Sequence, residues 1–315
     1  MDRREFLKAG TMAAAFATLA SKLPAQVANL AADAGEQKTD AAKKPEVVAV
    51  RKGGPVDMFR KGVEALGGMA AFVKPGQSVC VKPNIGWDRA PELGADTNPD
   101  LVGEIVRQCL AAGASKVEVF DHTCHEWGAC YRNSGIKDAV EKAGGTMLPG
   151  NDESWYVERE CPGAASMKTA KIHKCLLDSD VVINVPILKN HGGAKMTACM
   201  KNYMGVVWDR QFMHKNNMPQ CIADSFLYRR PDLNVLDAYR MMTTRGPQGG
   251  SPDNVEMCGY LLLSANPVVL DTIGAKLMRY DPSDVPYIAL AEKLGLGRAD
   301  DKELDAGGLI TRIDA

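Results

Sequence analysis

The most reactive stretch of this chain is Asp121-His122-Thr123-Cys124-His125-Glu126, with Cys130 a short helical step further on. Imidazole, thiolate and carboxylate are the donors that suit zinc, iron, copper or nickel. His191 adds another imidazole. Asp237 and Asp271 supply carboxylates of the kind that coordinate a cation or orient its histidines. The expected metal set is therefore His122, Cys124, His125, His191, Asp237 and Asp271. Their spacing follows no regular ligand pattern, so a polar loop that only meets water stays open as the alternative.

A second cluster runs from Leu188-Lys189-Asn190-His191-Gly192-Gly193 to Thr197 and Lys201-Asn202. Paired glycines after a strand let backbone amides approach an anion, and a helix starting near Met196 would aim its positive end there. Neither the Walker pattern nor G-x-G-x-x-G is present, so no nucleotide is specified. Lys189 follows an apolar strand. A lysine desolvated there falls from about 10.4 toward neutrality and becomes a base or a covalent attachment point. Solvated lysines beside a glycine turn are the plainer alternative. Lys82, Asn84, Gly192, Gly193, Thr197 and Asn202 are expected to hold a cofactor or anion, with Lys189, Lys201 and Asp121 catalytic. Gly246-Pro247 and Gly249-Gly250 read as a tight turn in preference to a lid.

These groups need a frame. Glu46 to Lys52, Ser78 to Lys82 and Lys116 to Phe120 read as strands, separated by helical patterns over Val56 to Phe72 and from Pro99 to Ala112. Asn98 is placed to cap the second helix, and Gly113 to end it. A helix follows near Ile136 to Ala143. Val181 to Leu188 is apolar throughout, as expected of a strand buried on both faces. Leu233 to Tyr239, Met257 to Ser264 and Gly308 to Ile313 read as further strands, and Pro267 to Met278 and Val285 to Leu294 as helices. This alternation predicts an α/β layered fold with a largely parallel sheet flanked by helices. In such sheets ligands bind outside the carboxyl ends of the strands, where both clusters fall.

Formal net charge is −1 with no basic block past the amino terminus, which argues against a nucleic-acid partner. The nine cysteines include no C-x-x-C, so no ferredoxin-type cluster motif is present. Arg3-Arg4-Glu5-Phe6-Leu7-Lys8, followed by an uncharged alanine-rich run, resembles a twin-arginine export signal. Ala32-Asp33-Ala34 fits its cleavage site, with Ala25 to Ala28 the weaker alternative. The expected organisation is a leader over 1–34, a polar linker over 35–44 and a single α/β domain over 45–315. That implies the twin-arginine machinery as a partner, a periplasmic or extracytoplasmic location, and no membrane span after leader removal.

Several segments together resemble the domain-of-unknown-function 362 family: Val81 to Gly86, Thr97-x-Pro99, Asp178 to His191, Thr197 to Gly205, Leu233 to Ala238 and Ser264 to Met278. They occur in the family's order across most of residues 45–300. The family has no general activity, so the resemblance implies a fold and little chemistry. A more distant similarity is to the amino-terminal domain of nickel-pincer lactate racemases, in which lysines and histidines surround a nickel cofactor held on a lysine. It implies a counterpart around Lys189, His191 and Lys201, although the glycine-rich loop departs from that pattern. The leading expectation is an exported enzyme with a metal-assisted or redox site acting on a small anionic substrate. The rivals are a non-catalytic anion- or metal-binding module and an accessory subunit of an exported redox complex.

Overall fold

The computed structural model describes residues 45–315, and the leader and linker readings lie outside them. Twelve strands are present: β1 (Val47–Arg51), β2 (Ser78–Pro83), β3 (Lys116–Val119), β4 (Thr146–Met147), β5 (Tyr156–Glu160), β6 (Thr169–His173), β7 (Val181–Val185), β8 (Ile187–His191), β9 (Lys195–Thr197), β10 (Leu233–Met242), β11 (Val255–Ser264) and β12 (Ile310–Asp314). The main sheet runs β12-β1-β11-β10-β7-β2-β3-β4. From β10 to β4 every neighbouring pair is parallel, as is β12 with β1. Only β11 runs against both of its neighbours. The sheet is thus mostly parallel, as the alternating pattern predicts.

Side chains alternate across a strand, and here both faces are dry. Val79, Val81, Val181 and Ile183 share one apolar cluster with Phe59 and Val63 of the helix Pro55–Ala65 and with Leu101 and Ile105 of the helix Pro99–Ala111. Cys80, Lys82, Val182 and Asn184 alternate with them and are equally buried. Burial of both faces explains why β7 is apolar almost throughout. Two polar residues on that second face, Lys82 and Asn184, lie beneath the site.

Local chemistry sets the element ends. The Asn98 side chain accepts from the amides of Asp100 and Leu101, and Pro99 occupies the first turn. Gly113 closes this helix at φ 96°, where a Cβ would lie 3.0 Å from Pro75. The first helix stops at Ala65, short of the predicted Phe72, because Gly67 and Gly68 both take positive φ. The predicted single strand Val181 to Leu188 is two, since Pro186 has no amide to give the ladder. Short helices at Lys174–Asp178 and Arg210–Lys215 and the longer Met218–Tyr228 carry no expectation from the sequence. Among the described residues no helix is long and apolar enough to cross a membrane.

Candidate functional site

At the carboxyl ends of β2, β3 and β7 the chain encloses a narrow cleft of about 60 Å³, room for roughly four waters or one small oxyanion. Its base is ionic. Lys82, fully buried on β2, places Nζ 2.8 Å from Asp121 Oδ1, just beyond β3. The same ammonium donates to the carbonyl of Pro83 at 2.7 Å. Burial pulls the Lys82 pKa down, and the Asp121 carboxylate acts against that shift. The other carboxylate oxygen of Asp121 accepts the Ile85 amide at 2.7 Å.

Gly205 leaves room for this pair. A Cβ there would lie 2.0 Å from Asp121 Oδ1 and 2.9 Å from Lys82 Nζ. Across the loop, a Cβ on Gly150 would lie 1.9 Å from the Asp121 carbonyl. Two glycines are therefore required by the close approach of backbone to Asp121, independently of their φ.

Amide side chains join the pair to the rest of the wall. Asn202 donates to the Lys82 carbonyl at 3.1 Å and to Asn184 Oδ1 at 2.9 Å. Its own Oδ1 accepts from Asn84 at 3.0 Å. Asn84 in turn accepts from Lys189 Nζ at 2.9 Å, and Lys189 also donates to the carbonyl of Ala95. Every member has a partner, which is what a buried polar network must achieve. Burial lowers the Lys189 pKa to about 8, with Asp96 opposing the shift.

Lys201 is different. It lines the cleft, yet no hydrogen bond or ion pair engages its ammonium among the described residues. Burial again lowers its pKa to about 8, with Lys189 and Arg210 adding to the drop. Arg210 completes the cationic wall by donating to the carbonyls of His122 (2.9 Å) and Thr123 (2.6 Å) and to Cys124 Sγ at 3.2 Å. Lys82, Lys189, Lys201 and Arg210 thus face two carboxylates, Asp121 and Asp96. Asp96 is itself pushed up to about 7 by burial, one of its oxygens taking the Trp87 amide and the other having no partner.

The two cleft histidines present opposite faces of imidazole chemistry. His122 Nδ1 sits 3.1 Å from the Val207 carbonyl, which only accepts, so Nδ1 carries the proton and Nε2 keeps a lone pair. His191 Nδ1 accepts the amides of Gly193 and Ala194, both at 3.1 Å, so its proton sits on Nε2. Burial lowers His122 to about 4 and His191 to about 3, the latter with help from Lys201 and Lys189. Both rings are neutral near pH 7. His122 also stacks on Trp208, with centroids 5.0 Å apart.

The structure therefore brings Asn84, Asp121, His122, Cys124, Lys189, His191, Thr197, Lys201 and Asn202 to one cleft, with Lys82 directly below. Other expectations are corrected. Asp237 spends its two oxygens on the amides of Asn98 and Tyr239, tying β10 to the start of the Pro99–Ala111 helix. Asp271 accepts from the amides of Cys199 and Met200 and so caps the short helix Cys199–Asn202. His125 packs edge-on behind the cleft residue Trp87 and takes the Asp88 amide, and does not itself line the cleft. Cys130 is buried, and that burial pushes its thiol up to about 12.

Nor do Gly192 and Gly193 cradle an anion at a helix start. They turn the β8–β9 hairpin, and the segment at Met196 is strand. Among the described residues no three His, Cys, Asp or Glu side chains are grouped so as to hold a metal ion. Asp237, Asp271, His125 and His191 instead accept backbone amides, and the Cys124 sulfur accepts from Arg210. All nine cysteines are free thiols.

Sequence reasoning missed Arg210, Asp96, Trp87 and Pro247. Arg210 follows no strand of the main sheet. It is positioned by the backbone bridge between Ile172 and Val207 and by Asp209, which caps its helix. Pro247 reaches the rim because Gly246 donates its amide to Asn190 Oδ1 at 3.0 Å, so the loop read as a plain turn also forms part of the wall. A wider groove of about 660 Å³ opens alongside and shares His122 and Arg210 with the cleft.

A mostly parallel sheet flanked by helices, with a polar cleft at its strand ends, places this chain among the α/β proteins. The family model described as domain of unknown function (DUF362) matches residues 79–276, and the chain belongs to that family. It is 27% identical over 246 residues to the thylakoid-associated protein sll1697 of Synechocystis sp., covering 76% of this chain and 74% of that protein. Among solved structures it is similar to the lactate racemase apoprotein from Thermoanaerobacterium thermosaccharolyticum, at 12% identity and a TM-score of 0.45. That match covers 74% of this chain and 57% of the other. A protein from Thermotoga maritima matches at 9% identity and a TM-score of 0.43, over 77% of this chain and 60% of that one. The chain spans less than two thirds of either solved structure.

Proposed function

We propose that the cleft binds a small carboxylate or oxyanion and that the protein is an exported enzyme acting on it. The observation that carries this reading is Lys201, a cation in a cleft already rich in cations whose ammonium no hydrogen bond or ion pair engages among the described residues. Partly buried charges without partners are costly, and an incoming anion supplies the missing partner. The volume suits a head group of a few heavy atoms.

Acid–base chemistry is the reaction class the side chains support. Lysines poised at about 8 exchange protons near neutral pH. Nε2 of His122 offers a lone pair and Nε2 of His191 an N–H, so acceptor and donor face the same ligand. No step is routed through a metal: of the side chains first expected as ligands, His122, Cys124 and His191 share the cleft, but among the described residues no three are grouped so as to hold an ion.

Calorimetric titration with sulfate tests the binding. Sulfate should bind wild-type protein, and Lys201→Met should weaken it at least about tenfold, one lost charge-assisted contact being worth about 1.5–3 kcal/mol. Unchanged affinity in that variant overturns the assignment. Binding without turnover of any small carboxylate would favour the non-catalytic module. Export rests on the Arg3-Arg4 leader, and its test is fractionation of cells carrying Arg3→Lys/Arg4→Lys, which should keep the protein in the cytoplasm.

A further inference from the structure

Eight of the nine cysteines are buried or half-buried; Cys124 alone is exposed. It lines the cleft together with Lys201, and Arg210 Nη1 donates to its sulfur at 3.2 Å. The loop that carries it is fixed: the Cys124 amide donates to the Gly86 carbonyl at 2.8 Å, and Arg210 also binds the carbonyls of the two preceding residues. A sulfur next to a guanidinium is the electropositive, accessible setting in which nucleophilic cysteines occur. The unpaired Lys201 ammonium in the same cleft points independently to an anionic ligand.

We infer that Cys124 is a nucleophile, placed to attack an electrophilic carbon on a small carboxylate whose charge Lys201 and Arg210 hold. This rests on the anion-binding reading above and adds the substrate class: a short carboxylic acid bearing a leaving group or other electrophilic carbon beside its carboxylate. In the step, a sulfur lone pair forms the S–C bond. The bond from that carbon to its leaving group breaks with its electron pair, and the thiol proton goes to solvent, which reaches this exposed residue. No oxidant or further reactant is needed.

The test uses iodoacetate, which carries the carboxylate, against neutral iodoacetamide, with alkylation rates followed on each cysteine peptide by mass spectrometry. Cys161, half-buried and outside the cleft, is the internal reference. The iodoacetate-to-iodoacetamide rate ratio at Cys124 should exceed that at Cys161 at least about tenfold, the size of one favourable charge contact. Sulfate should protect Cys124 from iodoacetate. Lys201→Gln should bring the ratio down toward that of Cys161, the ratio cancelling any change in the intrinsic reactivity of the thiol; since the Lys201 ammonium makes no hydrogen bond among the described residues, the variant should fold. Equal ratios at Cys124 and Cys161, or a ratio indifferent to Lys201→Gln, would overturn the inference. If sulfate still binds by calorimetry in that event, the nucleophile falls and the anion cleft stands. If sulfate does not bind either, both fall.

Discussion

Lys82 Nζ and Asp121 Oδ1 lie 2.8 Å apart at the base of the cleft, and both side chains are buried. The pair joins the ends of two adjacent parallel strands, and its remaining valences go to Pro83, Asn202 and Ile85. Breaking such a pair strands a charge, whereas removing both members does not. Asp121→Asn should therefore cost about 3–5 kcal/mol in urea denaturation. The double variant Lys82→Met/Asp121→Leu should be less destabilised than the single one. A double variant at least as unstable as Asp121→Asn would show that packing, not charge, dominates here.

Sulfate affinity should fall as pH rises through about 8. Lys189 and Lys201 both sit near that value because burial disfavours their ammonium forms. A bound dianion stabilises the charged forms, so above about pH 8 each lysine that contacts it contributes up to a tenfold loss per pH unit. Titrations at about pH 7, 8 and 9 in a single buffer system check this, and Lys201→Met should flatten the profile. A flat wild-type profile would mean that neither lysine meets the ligand.

Asp271 should make stability depend on pH in the direction opposite to a surface carboxylate. Burial raises it to about 7, while the amides of Cys199 and Met200 pull the other way. A raised folded-state pKa contributes stability that is complete below about pH 4, the unfolded value, and is lost as pH rises through about 7. Asp271→Asn should therefore flatten that part of the stability profile. It should also cost about 0.5–2 kcal/mol at low pH through weakened capping. Thermal unfolding of both proteins between about pH 4 and 8 separates the two effects.

Much of this site could be read from position along the chain. Asn84, Asp121 and Lys189 stand at or just past the ends of the apolar runs read as strands, and the structure does place all three at one cleft. The same rule misled at Asp237 and Asp271. A carboxylate near a strand end or a helix start also satisfies neighbouring backbone amides, and nothing in residue type separates the two uses. His125 and His191 show the same ambiguity, each accepting nearby amides. Arg210 was out of reach for another reason. Its place depends on pairing between Ile172 and Val207, a long-range contact that leaves no periodic mark in either segment.

Gly205 carries a consequence for how this chain can change. Because its missing methyl would occupy the space of the Asp121 carboxylate, substitutions at positions 205 and 121 are epistatic. Alanine at 205 should be rejected in the present background and tolerated once Asp121 is shortened and Lys82 is made apolar. A library randomised at these three sites and selected for folding should therefore yield co-dependent combinations, with the order of the mutational steps constrained.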